Sequence, residues 1–230
     1  MPLRDEQGTI SHLAQSGIDV HLVPREPEWL WKILGDSFPR GAVVTLTERD
    51  VLNRDLRPIL KLTELGGLYI DHASLDDEFT TGLDQLTTLN ALGLRGCKFA
   101  RLASLRSMEG LVALDLSFTD VSTIDVRGLT ELETVELRGT RIYDAVLPQF
   151  ATLPQLRTLD ISGSIGEINT GITDKGLRSL ENIPSLKQLF AYNTAVTDEG
   201  ISSLQRANPN LTITWKPIRR SGSSTGAQVP

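Results

Sequence analysis

Apolar residues recur along the chain in a short pattern, Leu-x-x-Leu-x-Leu or a close variant. The pattern occurs six times, as LGGLYI from Leu65, LNALGL from Leu89, LVALDL from Leu111, LETVEL from Leu132, LRTLDI from Leu156 and LKQLFA from Leu186. Successive starts are 24, 22, 21, 24 and 30 residues apart. A nearly constant spacing of this size is typical of a protein built from stacked repeats.

Within each segment, apolar positions alternate with polar or small ones, which predicts a short strand. In LVALDL we expect Leu114 and Leu116 to point into the core, and Asp115 and Ser117 to point to the opposite face. A single strand cannot bury its apolar edge alone, but stacked copies share a continuous core. The pattern therefore predicts a solenoid with one parallel strand per repeat.

Two further positions recur in the repeats. The phrase Thr-Asp-x-Gly stands at residues 173–176 and again at 197–200, and we predict Asp174 and Asp198 as N-caps of short helices, because a carboxylate accepts hydrogen bonds from free helix amides. At the ninth position of each repeat, a buried Thr, Ser or Cys side chain is predicted to bond to the backbone of the turn. The residues at this position are Ala73, Cys97, Thr119, Thr140, Ser164 and Thr194.

These motifs resemble those of leucine-rich repeat proteins, and most closely the ribonuclease-inhibitor-like and cysteine-containing class with bacterial LxxLxLxxTxVTDxGL repeats. The matching repeats cover residues 65–209, with a degenerate strand before them at Ala42–Leu46 and a closing strand after them at residues 210–215. The resemblance implies an α/β solenoid with a curved parallel β-sheet on the concave face and short helices on the convex face. The motif encodes a scaffold, so it names no partner.

The chain divides into three predicted regions. Residues 1–40 are expected to form an N-terminal cap with a strand and a short amphipathic helix, because both ends of a solenoid expose core and need a cover. Residues 41–217 form the solenoid, with Trp215 sealing its far end. Residues 218–230 are polar and rich in Gly and Ser, which predicts a disordered tail.

The composition argues against several classes of function. The net charge is −6 and the sequence has no basic stripe, which argues against nucleic acid or an anionic membrane surface as partner. The chain has one cysteine and no apolar run long enough for a signal peptide or membrane span, so we expect a cytoplasmic protein, although removal of a leader would leave the same sequence. It also has no phosphate-binding loop, catalytic Ser/His pair or metal-ligand cluster. We therefore expect no catalytic residues, no cofactor and no metal.

The outward-facing strand residues are predicted to form two columns on the concave face. One column is Tyr69, Gly93, Asp115, Glu136, Asp160 and Phe190, and the other is Asp71, Arg95, Ser117, Arg138, Ser162 and Tyr192. One interpretation is a solvated polar face on which Arg95 and Arg138 neutralise the carboxylates. The interpretation that we favour is a binding surface, because Phe190 and Tyr192 are both expected to face solvent, where a structural role has no use for them.

The repeat of 30 residues carries about six extra residues near positions 165–170, which are predicted to emerge at one rim of the concave sheet. This insertion is either a tolerated surface loop or a wall of the binding surface. The predicted partner-binding residues are therefore Tyr69, Asp115, Glu136, Asp160, Phe190, Tyr192, Ile165, Glu167 and Ile168.

We predict a monomeric scaffold that binds a protein or peptide partner through this face and its rim. One alternative is a self-associating structural module. A more remote alternative is a carboxylate-dependent hydrolase, since carboxylates one or two strands apart would lie about 5 to 10 Å apart, a range that includes glycosidase acid/base pairs. An open curved sheet, however, offers no closed cleft to desolvate them.

Overall fold

The fold is taken from a computed structural model, which describes residues 42–52, 54–62, 65–102, 104–164 and 169–215. The strands are β1 (Ala42–Leu46), β2 (Leu65–Ile70), β3 (Ala91–Gly93), β4 (Ala113–Asp115), β5 (Thr134–Glu136), β6 (Thr158–Asp160), β7 (Asn169–Thr173), β8 (Gln188–Phe190), β9 (Thr194–Ala195) and β10 (Thr212–Thr214). The α-helices are α1 (Glu48–Val51), α2 (Asp77–Gly82), α3 (Asp174–Leu177) and α4 (Asp198–Ala207), and 3-10 helices span Arg57–Lys61, Leu83–Gln85, Asp144–Thr152 and Arg178–Leu180.

Eight of the strands form one parallel sheet in the order β1-β2-β3-β4-β5-β6-β8-β10, while β7 and β9 pair separately. Each of the six apolar segments supplies one strand of this sheet, and the degenerate and closing strands, β1 and β10, lie at its two ends. The predicted α/β solenoid of parallel strands with short helices is thereby confirmed.

The core lies between the sheet and the helices and turns of the opposite wall. The central residue of each three-residue strand other than β10 is completely or almost completely buried on this side; these residues are Leu92, Leu114, Val135, Leu159 and Leu189. Phe79, Phe150 and Leu204 belong to the same buried cluster from the other wall. The repeat spacing thus produces one continuous core.

Four of the six ninth-position side chains bond to the backbone, as predicted. The hydroxyls of Thr119, Thr140 and Thr194 each donate to the carbonyl oxygen three residues earlier, at 2.7, 2.6 and 2.8 Å. The Cys97 thiol donates to the carbonyl oxygen of Ile70 in the preceding repeat, at 3.1 Å. These side chains satisfy buried carbonyl groups at the turns, so their role is structural.

The predicted helix caps are wrong by one residue. Thr173 is the N-cap of α3 and Thr197 is the N-cap of α4, and the hydroxyl oxygen of each accepts a hydrogen bond of 3.2 Å from an amide in the first turn of its helix. Asp174 and Asp198 are the first helical residues instead. Because Thr holds the capping position, the side chain of Asp174 is free to reach the neighbouring repeat.

Asp174 links two repeats. Its carboxylate accepts hydrogen bonds from the amide and the hydroxyl of Thr197, at 2.8 and 2.7 Å. Asp144 makes the same pair of bonds to Thr173, at 2.8 and 2.6 Å. Asp198 is exposed, and within the described part of the chain no residue donates a hydrogen bond to its carboxylate.

Several predictions fall outside the described residues. These are the N-terminal cap at 1–40, the tail at 218–230, and Ile165, Glu167 and Ile168 of the insertion. Trp215, the last described residue, is partly buried and packs with Ile213 against the core, as expected for a residue at the end of the solenoid. Among the helices of the described ranges, none combines the length and the apolar character that crossing a membrane requires.

Candidate functional site

The concave side of the sheet carries both predicted columns. In the first column the residues lie opposite one another on successive strands, so that Tyr69 pairs with Gly93, Asp115 with Glu136, and Asp160 with Phe190. Each residue of the second column lies two positions after the residue of the first column in the same repeat. We call the concave side, as defined by these two columns, the concave surface.

The first column is far more buried than a solvated polar face would be. Tyr69, Asp115 and Asp160 are only 3, 2 and 8% exposed, whereas Glu136 and Phe190 are partly exposed. The interpretation of this column as a solvated face is therefore wrong at three of the predicted site residues. The physical reason is the short distance between strands, about 4.8 Å, which lets neighbouring side chains cover one another.

Tyr69 illustrates this covering. Its ring lies across Gly93 on the next strand, where an added Cβ atom would come within 2.7 Å of Tyr69 Cδ1. Tyr69 also packs with Val43, Ala91 and Ala113 in a small apolar cluster on the concave surface. Its ring therefore contributes packing at the N-terminal end of the surface, and little of it is available to a partner.

The two buried aspartates have a local structural role. Asp115 Oδ1 accepts a hydrogen bond from the amide of Ser117, and Asp160 Oδ1 accepts one from the amide of Ser162, both at 2.8 Å. Each bond closes a turn of the type that Asp makes with the backbone two residues ahead. Burial raises the pKa of both carboxyls, while the hydrogen bonds from the serines act in the opposite direction.

Glu136 lies between these aspartates in the column and has a different environment. Burial and the nearby charges of Asp160 and Asp115 raise its pKa to about 8, and the guanidinium groups of Arg95 and Arg138 offset only part of this rise. A carboxyl group with such a pKa is mostly protonated at neutral pH. Glu136 thus places a neutral hydrogen-bond donor in the middle of the concave surface.

Phe118 is a feature of the surface that the sequence analysis missed. Its ring lies between two guanidinium groups, with Arg95 Cζ at 4.9 Å and Arg138 Cζ at 5.9 Å from the ring centroid. Phe118 has a φ of 61°, and the equivalent turn positions in the adjacent repeats are Gly96 and Gly139, with φ of 65° and 68°. Alignment of a Phe with two glycines was the signal that could have found it, because only glycine adopts this conformation without strain.

Phe190 and Tyr192 lie toward the C-terminal end of the concave surface. Both are partly buried, so the expectation that they face solvent holds only in part. The Tyr192 amide donates to the Ser162 hydroxyl at 3.1 Å, which fixes the backbone at this point. A partly exposed aromatic side chain on a fixed backbone is suited to contact a partner at low entropic cost.

Both ends of the insertion contact the two residues that directly follow Tyr192. Asn193 Nδ2 donates to the carbonyl oxygen of Ser164, the last described residue before the insertion, at 3.0 Å. Near the other end of the insertion, Asn169 of β7 pairs with Thr194 of β9. These contacts are made by the two residues that directly follow Tyr192 in the chain.

The other candidate chemistry is limited. Within the described ranges, no group of three His, Cys, Asp or Glu side chains is arranged to hold a metal ion. Cys97 is buried, and desolvation raises the pKa of its thiol to about 11. A buried thiol with such a pKa is a poor nucleophile.

The sequence matches a known family over part of its length, and it matches no curated protein. Residues 65–164 are similar to the family described as the LRR domain of the endo-beta-N-acetylglucosaminidase EndoS. The matched part corresponds to the segment from β2 to the start of the insertion.

Among solved structures, the chain is similar to an internalin, InlF, from Listeria monocytogenes, with a TM-score of 0.55 and 22% identity over 70% of this chain and 44% of that one. Internalin C2 from the same organism gives a TM-score of 0.53 and 20% identity over 70% of this chain and 66% of that one. The LRR protein LIC12759 from Leptospira interrogans gives 0.53 and 15% over 89% of this chain and 56% of that one.

The chain thus spans less than two thirds of the length of each of these proteins. At these identities the likeness shows the fold alone, and the ribonuclease-inhibitor-like class stays a prediction. The repeats, the parallel sheet and the comparisons together show that the chain has the fold of a leucine-rich repeat solenoid.

Proposed function

We propose that the chain is an interaction scaffold that binds a protein or peptide partner through the concave surface and its rim. The observation that carries the proposal is the pair of partly exposed aromatic residues, Phe190 and Tyr192, held on one rigid strand and turn. Aromatic side chains on a rigid frame are the typical centres of protein interfaces. Leucine-rich repeat proteins generally act as scaffolds for protein interactions, which agrees with this assignment.

Glu136 adds a polar contact to the proposed surface. It lies two strands from Phe190, with Asp160 between them, and its protonated carboxyl group can donate a hydrogen bond to a carbonyl oxygen of a partner. Asp115 and Asp160 shape this part of the surface, because their carboxylates are committed to the serine amides. The proposed partner therefore has an apolar side chain that packs against Phe190 and Tyr192, and a backbone or side-chain oxygen that accepts a hydrogen bond from Glu136.

The insertion extends the proposed surface. Ser164 and Asn169, on either side of the undescribed residues, contact Asn193 and Thr194, which directly follow Tyr192, and this supports Ile165, Glu167 and Ile168 as further partner contacts. Loops carried on a rigid scaffold often supply recognition. Shortening this loop to the 24-residue spacing should leave folding intact and weaken partner binding about tenfold, which corresponds to about 1.4 kcal/mol.

An affinity capture from the native cell extract tests the proposal. The double variant Phe190→Ala/Tyr192→Ala should lose the partner that the parent chain retains. Tyr143→Ala is the matched control, because Tyr143 is 44% exposed and lies outside both columns. Equal retention by all three proteins would overturn the proposal.

Two other functions make different predictions. Self-association would raise the mass measured by light scattering as the concentration increases, whereas we expect a constant monomer mass. A hydrolase is favoured by one observation, the protonated Glu136 near the ionisable Asp115 and Asp160, since acid/base pairs of carboxyl groups cleave glycans. Glycan cleavage that disappears in Asp115→Asn would establish this alternative in place of the scaffold.

A further inference from the structure

We propose that the stack of Arg95, Phe118 and Arg138 is a second contact point on the concave surface, and that it binds carboxylate side chains of the partner. The inference rests on the proposed scaffold function and adds that the partner is negatively charged where it contacts the stack. The stack lies in the turns that follow β3, β4 and β5, away from Phe190 and Tyr192 on the strand and turn of β8. A partner that covers both contact points spans most of the sheet.

The geometry of the stack leaves the guanidinium edges available. A guanidinium group that lies over a ring uses its flat face, whereas its five N–H donors point outward in the plane of the group. Arg95 is exposed and Arg138 is partly exposed, so a partner can reach both. Carboxylates pair with such edges through two parallel hydrogen bonds.

Both arginines lack an acceptor within the described ranges. Ion pairs there join Arg57, Arg106, Arg127, Arg141 and Arg157 to carboxylates, but none involves Arg95 or Arg138. In addition, the Nε atom of Arg138 is buried and has no hydrogen-bond partner. A buried donor without an acceptor is costly, so Arg138 is held in the stack without compensation from a hydrogen bond at this atom.

The backbone at Phe118 is strained, so the stack forms at a conformational cost. A bulky residue with φ of 61° is strained, and the adjacent turns avoid that strain with glycine. Gly139 also leaves the space that the Phe118 ring occupies, because a Cβ atom there would lie 2.8 Å from Phe118 Cδ1. The Phe118 ring separates the two guanidinium groups and orients them before the partner binds, which lowers the entropic cost of binding.

The test is a titration of the full chain with a blocked hexaglutamate peptide, followed through the side-chain Nε–H resonances of its arginines in NMR spectra. We expect saturable shifts of the Arg95 and Arg138 resonances, and no shifts with blocked hexaglutamine. Affinity for hexaglutamate should fall at least tenfold in Arg95→Gln and in Arg138→Gln. Arg138→Lys, which keeps the charge but loses the planar guanidinium edge, should show a similar loss.

Arg141→Gln is the matched control, because Arg141 is ion-paired with Asp120 outside the stack, and it should bind hexaglutamate like the parent. Equal affinity in the control and the two stack variants would overturn the inference, as would the absence of saturable shifts in the parent chain. Such a failure would leave the scaffold proposal intact, because that proposal depends on Phe190 and Tyr192, which this titration does not alter.

Discussion

The carboxylate of Asp174 accepts hydrogen bonds from both the amide and the hydroxyl of Thr197, the N-cap of the next convex helix. Asp144 holds Thr173 in the same way one repeat earlier. The Thr-Asp-x-Gly phrase therefore encodes a contact between repeats as well as a helix start. In each copy the Thr caps its own helix, and its amide and hydroxyl donate hydrogen bonds to the Asp of the preceding repeat.

Because of this contact, Asp174 and Asp198 should contribute differently to the free energy of unfolding. Asp174→Ala should lower the free energy of unfolding by about 1 to 2 kcal/mol, because it removes two hydrogen bonds to a charged group. Asp198→Ala should change it by no more than about 0.5 kcal/mol, because its exposed carboxylate has no acceptor role in the described part of the chain. Urea unfolding of both variants measures the difference, and equal midpoints would contradict the inter-repeat contact.

The effect of Gly200→Ala on the free energy of unfolding depends on the side chain of Asp174. In an open helix, replacing Gly by Ala stabilises by about 1 kcal/mol. At Gly200, however, a Cβ atom would lie 2.9 Å from Oδ2 of Asp174 and closer still to Oδ1, so Gly200→Ala should destabilise the parent chain by about 1 to 3 kcal/mol. The same substitution in an Asp174→Ala background should stabilise. A stabilising Gly200→Ala in the parent chain would show that the carboxylate does not occupy this space.

The repeats and the two columns could be predicted because both follow from periods in the sequence. A spacing near 24 residues places equivalent residues on successive strands, and the alternation of LVALDL separates Leu114 from Asp115. The cap positions could not be predicted as reliably. Thr and Asp are both good N-cap residues, and only the distance between Asp174 and the following repeat decides between them.

The burial of the columns could not be read from the sequence either. Alternation shows which face a side chain takes, but the exposure of Asp115 depends on how neighbouring strands cover it. Phe118 was missed for a related reason, because a left-handed Phe has no local sequence signal other than its alignment with Gly96 and Gly139. The aromatic pair was found because two aromatic residues in outward positions are uncommon enough to stand out.

The raised pKa of Glu136 predicts a pH-dependent stability. The folded chain binds a proton at Glu136 up to a pKa of about 8, whereas the ordinary value is 4.5, so the folded state holds more protons between these values. Stability is therefore favoured at low pH and is lost as the pH rises from 4.5 through 8. Glu136→Gln should abolish this contribution, so its stability relative to the parent should increase with pH across this window. A difference that stays constant in urea midpoints would contradict the assignment.

Cys97 should behave as a structural residue. It is 1% exposed, its thiol bonds to the carbonyl oxygen of Ile70, and burial raises its pKa to about 11. In mildly alkaline buffer the folded chain should therefore react with an aromatic disulfide reagent only as fast as it unfolds, and the unfolded chain in urea should react at once. Rapid labelling of the folded chain would mean that the thiol is accessible and ionised.

Site-specific photo-crosslinking tests the central claim most directly, that a partner binds the concave surface. A benzoyl-phenylalanine replaces Tyr192 in one protein and Gln205, an exposed residue of the convex helix α4, in another. Each protein is irradiated in an extract of the native cells, and the adducts are compared by mass. We predict a discrete protein adduct from position 192 that is absent from position 205 and is lost on adding an excess of the unlabelled chain. The same adducts from both positions, or an adduct from position 205 alone, would contradict the account.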